Sequence, residues 1–306
     1  MVTGGAGFIG SNLARKLASE NNTIVVDNLS TGHIENIQDL IDNNKVEFIN
    51  GSITDINLLN DLFEGVDFVF HQAAIPSVPR SVKDPIMSNL ANIDGTLNVL
   101  VAAKDNFVKK VVYASSSSVY GDTPTLPKKE DMKPCPLSPY AVSKLTGEYY
   151  CDVFTKVYDL QTVSLRYFNV YGPWQDPKGA YAAVIPKFIA NINNNKSPTI
   201  YGDGMQSRDF TFIDDVVQAN IKAAESTATG VFNIAVGRRI TINNLAELVM
   251  EITGKAFDIV YSDPRPGDIK HSLADISKAK NHFGYNPGFE IKNGLKETVK
   301  WFQKGN

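Results

Sequence analysis

Cysteine is nearly absent from this chain. Only Cys135 and Cys151 occur among its 306 residues, too few for a disulfide framework or a cysteine-rich zinc site, so both are read as reduced thiols of a cytoplasmic protein. An excess of positive charge is missing too: 30 Lys and Arg stand against 33 Asp and Glu, for a formal net charge of -3. Without a basic field, nucleic acid is not an expected partner. No stretch has the length and unbroken apolar character of a membrane span, and the start lacks the basic-then-apolar layout of a signal peptide. No membrane partner is expected. Low-complexity tracts and internal repeats are also absent. What remains is an ordinary globular composition, 43% hydrophobic and 21% charged, in a chain long enough for two domains at about 150 residues each.

The first half alternates short apolar runs with helical stretches. "TIVVDN" (23–28), "VEFING" (46–51), "VDFVFHQAA" (66–74) and "VKKVVYASS" (108–116) are continuous Val, Ile and Phe runs, as expected of strands covered on both faces. This predicts an α/β fold, a Rossmann-type doubly wound parallel sheet. Leu90, Ile93, Leu97, Leu100 and Val101 recur at helical spacing and predict one apolar stripe on a long buried or interface helix. From about residue 173 the Pro- and Gly-rich "GPWQDPKGAYAA" marks a departure from the regular sheet. We assign 1–172 to the doubly wound domain, to which about 209–240 returns, and 173–306 mainly to a smaller α/β domain.

"VTGGAGFIGSNLARKL" opens the chain with Gly4, Gly7 and Gly10 three residues apart before an apolar-periodic helix. Such glycines permit a tight turn and let a pyrophosphate approach the backbone at a helix N-terminus. Asp27 ends the second run, seventeen positions after Gly10. A carboxylate there accepts from both adenosine ribose hydroxyls and repels a 2'-phosphate, which selects NAD over NADP. Only Met1, Val2 and Thr3 precede the glycines. Either the first strand is unusually short or the chain as given lacks a few native residues.

"SPYAVSK" (138–144) places Tyr140 and Lys144 one turn apart on a helix begun by a proline. Alone, this pair is as readily a surface tyrosine beside a solvated lysine.

Taken in order, "TGGAGFIG", "DNLSTG", "SSSSVYG", "SPYAVSK" and "LRYFNVYGP" resemble the extended short-chain dehydrogenase/reductase family. Within it the sequence is most similar to the UDP-hexose 4-epimerases, particularly those acting on UDP-N-acetylglucosamine. The resemblance covers essentially the whole chain. It implies that Tyr140 is the acid/base on the sugar 4-hydroxyl, that Lys144 binds the nicotinamide ribose and supports the tyrosinate, and that Ser116, with Ser117 its neighbour, bonds the reacting hydroxyl. Bringing a phenol from its pKa of about 10 to neutrality requires roughly 4 kcal/mol of preference for the anion. Dehydratases of this family carry an Asp-Glu pair where this chain has serines, so dehydration is disfavoured.

The resemblance implies further NAD contacts from Phe8 and Ile9, from Asn28, Ser30, Thr31 and Gly32, from Gln72, Ala73 and Ala74, and from Ile53, Asn92 and Tyr167. Ser52 departs from the pattern, since an aspartate usually stands there. For a UDP-sugar it implies Arg208 and Arg265 on the diphosphate, Asp268 on the uridine ribose, Tyr201 on the uracil, and Lys187 and Asn169 nearby. Ser77 faces the sugar, with Arg80 ordering that loop or touching the sugar, and the small Ser272 leaves space for a 2-acetamido group. The implied activity inverts C4 of a UDP-N-acetylhexosamine through a transient 4-keto intermediate. The alternatives are a UDP-uronic acid epimerase, a UDP-glucuronate decarboxylase, or a non-catalytic nucleotide sensor. Two long helices, about 88–104 and 139–157, occupy the positions of a homodimer interface in the family.

Overall fold

The apolar runs fold into strands whose neighbouring side chains enter two separate cores. Val25, Phe70 and Val112 pack into one, while Val26, Val69 and Val111 pack into the other. Burial on both faces is why these runs are continuous rather than alternating. The computed structural model describes residues 1–177, 183–264 and 269–304. Its sheet comprises β1 (Val2–Thr3), β2 (Ile24–Asp27), β3 (Glu47–Asn50), β4 (Phe68–His71), β5 (Lys110–Ser116), β6 (Gln161–Tyr167) and β7 (Gly230–Ile234). The order is β7-β6-β5-β4-β1-β2-β3 and every pairing is parallel. The chain winds outward in both directions from β1, making a Rossmann-type doubly wound sheet with a crevice at the strand C-termini. At two residues β1 is short, but it pairs on both sides, with Val25 and Val26 and with Phe70 and His71.

Five helices shape the site: α1 (Phe8–Leu17), α2 (Val78–Lys83), α3 (Pro85–Asn89), α4 (Gly95–Asp105) and α5 (Pro139–Tyr158). The Ser138 hydroxyl caps α5 by accepting from Ala141 N at 3.1 Å, Pro139 begins it, and Asp159 ends it in the left-handed region. The single long helix expected around 88–104 is instead a helix with a π turn, Leu90–Asp94, between α3 and α4. The wide turn rotates the faces. Asn92 turns inward, where its side chain accepts from Ile75 N and donates to Ile75 O and Ser143 Oγ. The buried face then runs through Gly95, Thr96, Val99, Leu100, Ala102 and Ala103, so Leu100 of the expected stripe is buried while Leu90 is 41% exposed.

Smaller two-stranded pieces follow in the second half. Val170–Tyr171 pairs with Thr211–Phe212, Ser207–Arg208 with Ile240–Thr241, and Thr199–Tyr201 with Val260–Ser262. No helix among the described residues is long and apolar enough to cross a membrane.

Candidate active site

The glycine turn is packed too tightly for side chains. Gly4 has φ +70°, and a Cβ there would fall 2.5 Å from Ala73 N; one on Gly10 would fall 2.1 Å from Gly4 O. The turn therefore lies against the end of β4 with backbone facing the crevice, and α1 begins at Gly7 with no side-chain cap on its first N–H groups. Those donors and the helix dipole suit a diphosphate. Beside them is a cavity of about 460 Å³, lined by Gly4, Gly7, Phe8, Ile9 and Gly10, by Asp27, Asn28, Ser30 and Thr31, and by Ser52 and Ile53. Gln72, Ala73, Ala74, Tyr140, Lys144 and Tyr167 complete its far wall. The glycine cradle and the terminal acid together fit a dinucleotide.

Two sequence candidates stand behind that lining. Gly32 abuts Asp27: a Cβ there would lie 2.9 Å from Asp27 Oδ2. Asn92 is buried and braces the backbone at Ile75. Asp27 itself accepts from Ala6 N at 3.0 Å and Leu29 N at 2.8 Å. Burial pushes its carboxyl up and these two bonds pull it back. Ser52 Oγ lies 2.8 Å from Thr54 Oγ1 on the wall of the same cavity. Gln72 is held from across the sheet: its Nε2 donates to Tyr167 Oη and to Asn220 Oδ1, both at 3.1 Å.

Tyr140 lines the same cavity, and the Ser116 hydroxyl acts on its phenol. Ser116 Oγ accepts from Ser118 N at 3.1 Å, which fixes its rotamer at the end of β5. Lys144 is buried; its Nζ donates to Ala114 O at 2.7 Å and lies 5.9 Å from the Tyr140 ring centre. Burial lowers the Lys144 ammonium to about 8, opposed by Cys151 and Glu148. Burial raises the Tyr140 pKa, and the Ser116 hydroxyl offsets part of the rise. The Lys144 ammonium expected to support the tyrosinate is directed at the Ala114 carbonyl of the neighbouring strand.

Asn169, Lys187, Tyr201 and Arg208 line a second cavity of about 280 Å³ with Phe188 and Gln206. Arg208 Nη1 donates to Ser207 O at 3.0 Å and Lys270 O at 3.2 Å. Ser272 touches the wall through Asn169. Ser77 caps α2, accepting from Arg80 N at 3.2 Å, and Ser117 starts the turn Ser117–Tyr120 that follows β5. Arg265 and Asp268 lie outside the described residues.

Sequence reasoning missed Met87, Leu90 and Ala91, which line the dinucleotide cavity. Leu90 had been placed on the apolar stripe; Met87 carried no signal of its own. Ser115 was also passed over, although it lines the same wall beside Ser116.

A cradle for a dinucleotide that ends on a Tyr–Lys pair and a strand-terminal serine defines an NAD-using enzyme of the short-chain dehydrogenase/reductase type. The sequence matches the NAD dependent epimerase/dehydratase family over residues 1–235. The chain belongs to that family, and NAD is its cofactor. It is similar to the UDP-N-acetylglucosamine 4-epimerase of Methanobrevibacter ruminantium M1, solved with UDP-N-acetylmuramic acid: 45% identity, TM-score 0.97, covering 100% of this chain and 98% of that one. The UDP-glucose 4-epimerase of Mycolicibacterium smegmatis is 37% identical over 99% of this chain and 98% of its own. A UDP-glucuronic acid 4-epimerase from Bacillus cereus, solved with UDP-glucuronic acid and NAD, has 35% identity and TM-score 0.92 over 100% of this chain and 99% of its own.

Proposed function

We propose that this isomerase is a UDP-N-acetylhexosamine 4-epimerase interconverting UDP-GlcNAc and UDP-GalNAc, with UDP-Glc and UDP-Gal as further substrates. The observation that carries the reading is the placing of Tyr140 and buried Lys144 together on the wall of the dinucleotide cavity, with Ser116 ending the adjacent strand β5. Bound NAD supplies reversible oxidation at the sugar C4 and, in its oxidised form, a positive ring charge. Tyr140 takes the 4-hydroxyl proton alongside Ser116 and returns it after the 4-keto sugar has turned over. Lys144 orients the nicotinamide ribose and stabilises the tyrosinate. Asp27, Asn28, Ser30, Thr31 and the glycine turn hold the adenosine and diphosphate.

In this reading Arg208 and Arg265 hold the UDP diphosphate and Tyr201 packs on the uracil with Lys187 and Asn169 nearby, while the small Ser272 leaves room for the 2-acetamido group. The anchor is charged and directional, so the sugar turns over without UDP leaving. Residues 1–172 with about 209–240 serve the cofactor and most of 173–306 serves the UDP-sugar. A homodimer belongs to the same reading, supported by the exposed apolar residues Val142, Tyr149, Val153 and Val157 on α5 and Val82 and Ile86 near α3. Cytoplasmic placement is supported by two unpaired cysteines.

The test is a panel of UDP-sugars incubated with NAD-loaded protein and no reductant, read by chromatography and mass spectrometry. Equal-mass interconversion of UDP-GlcNAc and UDP-GalNAc supports the proposal. Turnover of UDP-glucuronate alone, or loss of carbon dioxide, replaces it with the uronic acid reading.

A further inference from the structure

Glu148 follows Lys144 by one helical turn and Tyr140 by two, so the three share a face of α5. Tyr140 and Lys144 meet the dinucleotide cavity; Glu148 points into the sheet. Its side chain is 2% exposed and is gripped by Arg166 of β6, whose own side chain is 3% exposed. The grip is bidentate, Nε to Oε1 at 2.8 Å and Nη2 to Oε2 at 2.7 Å. Ser115, the residue before Ser116, donates its hydroxyl to the same Oε1. Ser115 and Arg166 are direct partners in the β5–β6 register. One carboxylate thus pins α5 to two adjacent strands beside the serine that acts on the base.

The preceding residue shows how closely the helix is seated. A Cβ on Gly147 would fall 2.3 Å from the Tyr113 hydroxyl oxygen. The helix rests on that ring with no room for a methyl group. A fully desolvated ion pair adds little net stability over apolar residues of the same shape. A role in placing the reacting groups accounts for it better.

We propose that Glu148 is a positioning residue, which, held by Arg166 and Ser115, fixes the register of Tyr140 and Lys144 against Ser116, and that the neutrality of the Glu148–Arg166 pair balances the field at the Tyr140–Lys144 couple. The proposal rests on Tyr140 being the base. The titratable groups facing this cluster are His71 from β4, Tyr113 from β5, Cys151 from α5 and Tyr120 from the turn after β5, which lies 4.6 Å from the Arg166 guanidinium. Burial holds all four neutral, lowering His71 to about 3 and raising Cys151 and Tyr120 to about 12 and Tyr113 well above its ordinary value. The charges left to set the local field are those of Lys144, Glu148 and Arg166, with the Glu130 carboxylate acting on Tyr120. Removing the carboxylate leaves Arg166 uncompensated and draws both apparent pKa values of the Tyr140–Lys144 couple down. Removing the guanidinium leaves Glu148 uncompensated and drives both up.

The experiment compares pH profiles of UDP-GlcNAc epimerisation by the NAD-loaded wild type, Glu148→Gln, Arg166→Met and the double variant, with thermal unfolding on the same samples. The single variants should lose about tenfold or more in kcat with KM little changed, as expected when reacting groups are misplaced. Both limbs of the profile should move roughly half a pH unit or more, to lower pH in Glu148→Gln and to higher pH in Arg166→Met. The double variant should restore the limbs. Arg166→Lys should keep the limbs and still lose kcat, because charge without the fork does not hold register. If Arg166→Met does not fold, Glu148→Gln and the double variant decide. Lowered Tm with unmoved limbs and unchanged kcat would reduce the pair to scaffolding and overturn the proposal. Tyr140→Phe separates the two levels: full activity in that variant overturns the base assignment and this proposal with it. An inactive Tyr140→Phe beside unmoved limbs in Glu148→Gln overturns the positioning role alone.

Discussion

Asn169 and Ser272 meet across 103 positions of the chain, Nδ2 donating to Oγ at 3.4 Å. The same Asn169 amide donates to Asp209 O at 2.9 Å, and its backbone sits at φ +38°, a conformation Asn tolerates better than most residues. Asn169 lines the smaller cavity, so in the proposed reading a larger residue at 272 would press on the cavity wall through Asn169.

Ser272→Tyr should therefore suppress turnover of UDP-GlcNAc about tenfold more than turnover of UDP-glucose, since a bulky ring competes with the 2-acetamido group but not with a 2-hydroxyl. Parallel kcat/KM measurements on the two substrates check this. Equal losses would remove Ser272 as a specificity residue.

Tyr140→Phe should reduce kcat by about 10²-fold or more, the usual size of a lost acid/base. The affinity for UDP, measured by calorimetry, should stay within about twofold because the phenol lies in the other cavity.

Acid should destabilise the fold through His71. It is buried between Thr3 Oγ1, 2.8 Å from its Nδ1, and Thr96 Oγ1, 3.0 Å from its Nε2. Burial first and Lys144 second depress its pKa from 6.5 to about 3. Between those values the unfolded chain holds a proton that the folded chain does not, so stability is present above pH 6.5 and is lost as pH falls toward 3. The full window is worth on the order of 5 kcal/mol. Urea unfolding at pH 7 and pH 5 should show the loss, and His71→Gln should flatten it. Identical slopes in both proteins would place the acid sensitivity elsewhere.

Asp27→Ser should weaken NAD binding by roughly tenfold and narrow the preference for NAD over NADP, because the carboxylate both accepts from the ribose and repels a 2'-phosphate. Fluorescence titration with each dinucleotide measures the ratio. Part of any loss in Tm would come from Ala6 N and Leu29 N, which lose a charged acceptor.

The sheet and the dinucleotide cradle were legible because their signals are local. Glycine spacing, an acid at a strand end and continuous apolar runs each operate within a few residues. The π turn at Leu90–Asp94 was not, because an apolar stripe at regular spacing carries no mark of a turn that Asn92 opens by bonding to Ile75. Glu148 and Arg166 read as ordinary charges; only the fold brings them together in its interior. The joint between Gln72 and Asn220 spans 148 positions, beyond the reach of any periodicity. The four-residue spacing brings Tyr140 and Lys144 to the same cavity wall, but that the Lys144 ammonium donates to the Ala114 carbonyl could be read only from the fold.

The strand that finishes the sheet, β7, is reached only after the chain has passed through the segments around the smaller cavity, and it zips onto β6 from Val163 to Tyr167. A fragment stopped at residue 172 would leave that edge bare and prone to pair with a second molecule. The proposed cofactor and substrate portions would then be interleaved rather than strung in series, and a swap of either one whole between relatives should leave the sheet without its edge strand.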